Sequence, residues 1–202
     1  MFKRFLVALV IATALLSRHA VTEQISSWDG GAVETVAHRE SVPLRSYWKE
    51  PPQIVICDGV TTVQRVRAAT RFWESIGYKF GKISVDPDPL SCYSDKLGVI
   101  KVQLPSTDEP MGNNMATTNT SRFVATGEAI YSTIRIMPYE AGRELILEHE
   151  LGHALGWMHI RSEGHIMHPE CVSVGRKTDG VRHIDYVRKK TENFTNPTDS
   201  EN

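Results

Sequence analysis

The chain lacks an excess of charge of either sign: 23 Lys and Arg residues stand against 24 Asp and Glu residues, for a formal net charge of −1. No run of Lys or Arg with interleaved aromatic residues occurs, which argues against a nucleic-acid interface. Internal repeats are absent too, which argues against a solenoid or other repeat architecture. What remains is 202 residues with an ordinary apolar content of 41%. Such a chain is long enough for one globular domain with short appendages.

Cysteine is scarce, since only Cys57, Cys92 and Cys171 are present and no CxxC pair occurs. This pattern argues against a cysteine-ligated zinc site and against dithiol redox chemistry. In an exported protein three cysteines allow one disulfide with three possible pairings. We expect Cys57 to pair with Cys92, because the first ends a predicted strand and the second follows the next strand. One thiol would then remain over.

Long hydrophobic runs are missing except near the start, where the apolar residues 5–16 follow the basic stretch of residues 1–4. A membrane span needs about 20 apolar residues, and this run ends earlier. It is typical of a secretory signal peptide, which we place at residues 1–20. Cleavage after Ala14 remains an alternative, as does retention as a lipid-proximal anchor. We expect a secreted or cell-envelope protein with no stable membrane span after cleavage.

The order of predicted elements indicates an α/β or α+β fold with a mostly parallel sheet. Residues 21–50 are expected to be a linker or a loosely packed N-terminal arm, residues 51–189 the domain, and residues 190–202 a polar tail. The polar residues 106–121 are expected to form a loop. Strands are predicted at 53–57, 79–85, 99–104, 122–126 and 129–137, and helices at 62–76, at 140–155 and after 178.

One segment, HELGHALGWMH at residues 149–159, carries residues with metal-binding spacing. Residues four apart share a helix face, so His149 and His153 point at one place. Gly156 permits a sharp turn that brings His159 to the same place. Three neutral imidazoles form an open tetrahedral Zn²⁺ site with a fourth position for water. Glu150 flanks the metal without binding it and is our candidate catalytic base, which takes a proton from the zinc-bound water.

This segment and the later residues 165–169 (HIMHP) resemble the HExxHxxGxxH motif and the Met-turn of the metzincin clan of zinc metallopeptidases. The interval of eight residues from His159 to Met167 and the Met-x-Pro ending are most similar to matrixins. The resemblance implies a mostly parallel twisted sheet with an antiparallel edge strand, an active-site helix and a C-terminal helix. It also implies that Met167 is an apolar floor beneath the zinc. A protein or peptide substrate would lie extended along the edge strand, for which residues 122–128 are the candidate.

The chain departs from the family pattern in several places. Ile160, after the third histidine, matches no subfamily, and no tyrosine follows two residues after Met167 as an extra ligand. No cysteine-switch motif precedes the domain. His165 and His168 are expected to lie around the ligands or at the surface, with a role as an alternative ligand left open. Glu144 and Glu148 are expected to be solvated helix residues.

These residues together predict a monomeric zinc-dependent endopeptidase that hydrolyses peptide bonds with a zinc-bound water and Glu150 as general base. The alternative is a catalytically silent, zinc-stabilised binding module. Retention of Glu150 disfavours the alternative, because a purely structural zinc site has no need of a general base.

Overall fold

The computed structural model describes residues 20–26, 42–106, 111–112 and 114–194. The predicted signal peptide, apart from Ala20, and the last eight residues of the predicted tail lie outside these ranges. Within the described ranges no helix has the length and apolar character needed to cross a membrane.

A twisted six-stranded sheet forms the centre of the fold, with the strand order β1-β5-β6-β4-β2-β3. β3, β2, β4 and β6 pair in parallel, whereas β5 pairs antiparallel with β6 and β1 pairs antiparallel with β5. The mixed α/β architecture with a mostly parallel sheet and an antiparallel edge is therefore confirmed. The strands are β1 (Ala20–Ser26), β2 (Gln53–Ile56), β3 (Ile83–Val85), β4 (Val99–Gln103), β5 (Ala116–Phe123) and β6 (Ala129–Ile136).

The central parallel strands follow from their sequence. β2 and β4 are short runs rich in Ile and Val, and nearly all of their residues are buried. Strands covered on both faces favour such runs because no side chain reaches water. The predictions for 53–57 and 99–104 agree with these strands to within a residue, whereas β3 is shorter than the predicted 79–85.

The polar stretch expected to be a loop contains most of strand β5, so that prediction is wrong from Ala116 onward. Thr117, Thr118, Thr120 and Ser121 are all buried there. Buried hydroxyls are tolerated where they find hydrogen-bond partners, and threonine is a good strand former. The candidate edge at 122–128 is likewise displaced, since β5 ends at Phe123 and β1 lies along its outer side.

In the part of the chain that the structure describes, four α-helices accompany the sheet: α1 (Val63–Glu74), α2 (Pro89–Tyr93), α3 (Ile146–Ala154) and α4 (His183–Phe194). α1 begins at the N-cap Thr62, whose side chain accepts a hydrogen bond from the backbone N–H of Arg65. α3 is shorter than the predicted helix over 140–155, because Leu145 adopts a left-handed φ of 69° at its N-cap. The predicted end before Gly156 is confirmed.

The structure describes two parts of the expected loose arm: residues 21–26 lie in β1, and residues 42–50 are tightly packed. Val42, Leu44 and Trp48 are buried in the main hydrophobic core. Leu44 forms a β-bridge with Trp157, next to the candidate site. The expectation of a linker at 21–50 is therefore wrong for these residues, because their apolar side chains complete the core beneath α3.

The C-terminal boundary also differs from the prediction, since α4 continues to Phe194 rather than ending near residue 189. The ring of Phe194 lies 5.2 Å from that of Tyr47, centroid to centroid. This contact ties the last helix to the packed segment 42–50.

The predicted disulfide between Cys57 and Cys92 is confirmed, with the two Cα atoms 5.8 Å apart. It links the end of β2 to α2, at the same end of the sheet. Cys171 is the free thiol. It begins a short 3₁₀ turn over Cys171–Ser173.

Candidate metal centre

Two histidines of α3 are held in one tautomer by backbone carbonyls. The Nδ1 of His149 lies 2.7 Å from the carbonyl oxygen of Ile166, and the Nδ1 of His153 lies 2.7 Å from that of Trp157. A carbonyl oxygen only accepts, so each Nδ1 must donate its proton. In the neutral ring the other nitrogen, Nε2, then carries a lone pair available to a metal ion.

The third histidine reaches the same point from the loop after α3. Gly156 takes a φ of 104° and turns the chain, as expected for glycine. On either side of His159, Met158 donates its N–H to the carbonyl of Pro43, and Ile160 donates its N–H to that of Met167. The imidazole of His159 is therefore aimed by two flanking backbone hydrogen bonds.

The three Nε2 atoms lie 3.0, 3.0 and 3.2 Å from one another. Nitrogens bound to one tetrahedral Zn²⁺ at about 2.0–2.1 Å stand about 3.3 Å apart, which is close to this spacing. His149 and His153 both present lone pairs at 3.0 Å and so cannot hydrogen-bond to each other through these atoms. A cation between the rings resolves that conflict, so the donor set fits a metal ion.

Burial keeps these imidazoles neutral. Desolvation, followed by the charge of His159, lowers the pKa of His149 to about 3. Burial and the neighbouring rings of His149 and His159 also hold the pKa of His153 well below its usual value. Only a neutral imidazole can ligate a metal, so both groups are in their ligating form at physiological pH.

The turn after the third histidine supports the cluster from below. Met167 is fully buried. A Cβ added at Gly152 would overlap its Sδ and lie 2.7 Å from a ring carbon of Trp73. Met167 therefore packs directly against α3 at Gly152, the residue before His153, and its role as an apolar floor beneath the metal stays a prediction.

His165 and His168 are not part of the ligand cluster. The Nδ1 of His165 accepts the N–H of Met167, and its Nε2 donates to the carbonyl of Asp179. The Nδ1 of His168 accepts the N–H of Glu170. His165 thus fastens the turn that carries both the floor and the carbonyl of Ile166.

The candidate base Glu150, which follows His149 in α3, is fully buried. Its Oε2 lies 2.6 Å from the hydroxyl of Thr118 on β5. The carboxylate is thereby tied to the strand next to α3, and sequence reasoning did not foresee this contact.

α3 is anchored to α1 by a buried ion pair. Both guanidinium Nη atoms of Arg65 contact the carboxylate of Glu148, at 2.6 and 2.8 Å. The indole N–H of Trp73 donates to the carbonyl of Glu148 at 2.7 Å. Glu148 is therefore buried rather than solvated, contrary to expectation, whereas Glu144 is exposed and pairs with Arg176.

None of the protein-family models matches the chain. No curated protein is significantly similar to it.

Proposed function

We propose that this chain is a zinc-dependent endopeptidase of the metzincin type. The observation that carries the proposal is the convergence of three Nε2 atoms on one point, with the ring proton of His149 and of His153 fixed on Nδ1. The buried Glu150, which follows His149 in α3, supports it. A zinc ion held by three imidazoles supplies Lewis acidity, which activates water and polarises a carbonyl. His149, His153 and His159 would hold it.

The protein's own part in the reaction is proton transfer. Glu150 follows His149 directly in α3 and is not one of the three converging ligands, and we propose that its carboxylate serves the metal-bound water. A carboxylate in that place accepts a proton from the attacking water and returns it to the leaving amine. Three ligands leave a fourth position for the reacting groups.

The edge of the sheet supports an extended substrate. The outer side of β5 pairs antiparallel with β1 over seven residues, from Ala20 opposite Phe123 to Ser26 opposite Thr117. Ile25 stands opposite Thr118, whose hydroxyl contacts Glu150. Because β1 occupies this side of β5 in the structure, a substrate peptide would have to take the place of β1, and it would then pass beside Thr118.

An exported, monomeric enzyme remains part of the proposal on the sequence grounds given above. The rival function is a zinc-stabilised binding module without turnover. The two differ in what Glu150 does, so the decisive experiment changes this residue.

The test compares the wild type with Glu150→Gln and His153→Ala, purified with zinc. Glu150→Gln keeps the shape of the side chain but removes its basicity. Zinc content should stay at the wild-type level, while cleavage of a broad peptide library should fall by about 10²–10⁴-fold. His153→Ala should lose both the metal and activity.

Glu144→Gln is the matched control, because Glu144 is an exposed carboxylate two residues before the start of α3. It should cleave at the wild-type rate. If the zinc-loaded wild type cleaves no peptide, the enzyme hypothesis is wrong and the binding module takes its place.

A further inference from the structure

Thr118 stands in the middle of β5, with Ile134 of β6 opposite it on one side and Ile25 of β1 on the other. It is fully buried, and its hydroxyl oxygen lies 2.6 Å from Oε2 of Glu150 and 3.2 Å from the backbone carbonyl of the same residue. A hydroxyl has one proton to donate. The shorter contact, to a carboxylate oxygen, takes it, because hydrogen bonds to charged acceptors are the stronger ones.

The neighbouring hydroxyl on the same face of β5 has a different partner. Thr120 lies 2.9 Å from the hydroxyl of Ser132 on β6 and holds the two strands together. Both threonines are buried and both favour a strand. Only Thr118 reaches across to α3, so its contact with Glu150 is not a requirement of the sheet.

We propose that Thr118 is a positioning residue that holds the carboxylate of Glu150 in the orientation needed for proton transfer. This inference rests on the proposed peptidase function. A glutamate side chain has three rotatable bonds, and a base must stand within hydrogen-bond reach of the proton it takes. Threonine is stiff about its first side-chain bond, and here it is fixed in a paired strand.

The contact also links the base to the binding edge. β5 is the strand whose outer side accepts an extended segment, as β1 demonstrates. A base fixed to β5 keeps its alignment with a peptide that pairs along that strand in place of β1. The geometry therefore assigns Thr118 a role in kcat rather than in substrate affinity.

The test replaces Thr118 with Val, which keeps the branched shape and removes the hydroxyl. We expect kcat for peptide cleavage to fall by about 10²-fold, the cost of a small misplacement at a reacting centre, with KM within about twofold. Thr118→Ser restores the hydroxyl and should recover most of the rate. Thr120→Val is the matched control and should keep kcat near the wild-type value.

A second readout does not depend on turnover. Zinc content should be equal in the wild type and in Thr118→Val, and a peptide hydroxamate, which needs a proton acceptor beside the metal, should bind the variant about tenfold more weakly. In a Glu150→Gln background the same threonine change should weaken hydroxamate binding no further, because residues that act through one contact are not additive.

The possible outcomes distinguish the proposed peptidase function from the positioning role of Thr118. A zinc-loaded wild type without any cleavage overturns the proposed function and this inference with it. If the wild type cleaves peptides but Thr118→Val does so at a similar kcat, or Thr118→Ser fails to recover the rate, the positioning role alone is wrong. Should Thr118→Val fold poorly, Thr118→Cys takes its place, because a thiol is only a weak hydrogen-bond donor: its kcat should fall well below that of Thr118→Ser, and equal values would overturn the positioning role.

Discussion

Both the fold and the candidate site depend on the absence of a side chain at Gly156. Its φ is 104°, and a Cβ there would overlap the carbonyl oxygen of Ser46 and lie 2.8 Å from the carbonyl carbon. The obstacle is backbone rather than a flexible side chain. Its position is fixed by the hydrogen bond from the N–H of Arg45 to the carbonyl of Gly156 itself.

Gly156→Ala should therefore carry two separate costs. A left-handed backbone costs an L-residue roughly 1–2 kcal/mol, and overpacking a filled region costs typically about 1–3 kcal/mol. Together they predict a loss of roughly 2–5 kcal/mol in the free energy of unfolding. His159 follows three residues later, so zinc affinity should also fall, by about 10–100-fold as for other changes that disturb the support of a ligand.

Gly98→Ala isolates the first cost, because Gly98 has a φ of 73° and no atom within 4 Å of an added Cβ. It should lose only about 1–2 kcal/mol and keep its zinc affinity. Urea unfolding of both metal-free variants and a zinc competition titration with a chromophoric chelator make the comparison. Equal stability losses in the two variants would refute the overlap with Ser46. Unchanged zinc affinity in Gly156→Ala would refute the role of this turn in aiming His159.

Two further predictions concern the support and the protonation of the ligands. Arg65→Met should lower the free energy of unfolding by about 3–5 kcal/mol in a urea titration, since it leaves the carboxylate of Glu148 buried without its cation. Adding Glu148→Gln should recover part of this loss. If the double variant recovers no stability, the explanation is wrong. The metal-free protein should lose stability as the pH falls from about 6.5 to about 3, because His149 takes up a proton in the unfolded chain but not in the folded one. The slope should be on the order of 1.4 kcal/mol per pH unit; urea midpoints across this range measure it, and a flat profile would exclude a neutral buried imidazole.

The sequence predicts the parts of the fold that rest on local patterns. β2 and β4 are apolar runs buried on both faces, and the end of α3 coincides with a glycine. β5 was missed because its residues look like a loop until their partners are known. The hydroxyls of Thr118 and Thr120 are satisfied by Glu150 and Ser132, and only the folded chain brings these together.

The beginning of α3 was missed for a related reason. Residues 140–145 contain no strong helix breaker besides Gly142, so local propensity favours continuing the helix. In the structure a left-handed Leu145 separates this stretch from α3, and Arg143 pairs with Glu140 within a turn. Tertiary contacts override propensity here, since Arg65 also donates to the carbonyl of Arg143.

The candidate site likewise has a part that the sequence predicts and a part that it does not. His149 and His153 can be recognised from the sequence because residues four apart share one face of a helix. His159 can be recognised because Gly156, three residues before it, permits the chain to turn. The groups that orient the rings are the carbonyls of Ile166 and Trp157. Every residue has a backbone carbonyl, so no sequence pattern could show which carbonyls would accept these hydrogen bonds.

The burial of Glu150 bears on the choice between an enzyme and a binding module. An ionised carboxylate removed from water is costly unless it is paired or hydrogen-bonded, and an apolar residue would fill the same space without that cost. The fold nevertheless buries this carboxylate on the helix that carries His149 and His153 and supplies the hydroxyl of Thr118 to hold it. A structural zinc site gains nothing from such an arrangement, because the three ligands do not require it. Proton transfer beside an open metal position does require it, so the position of Glu150 favours the enzyme.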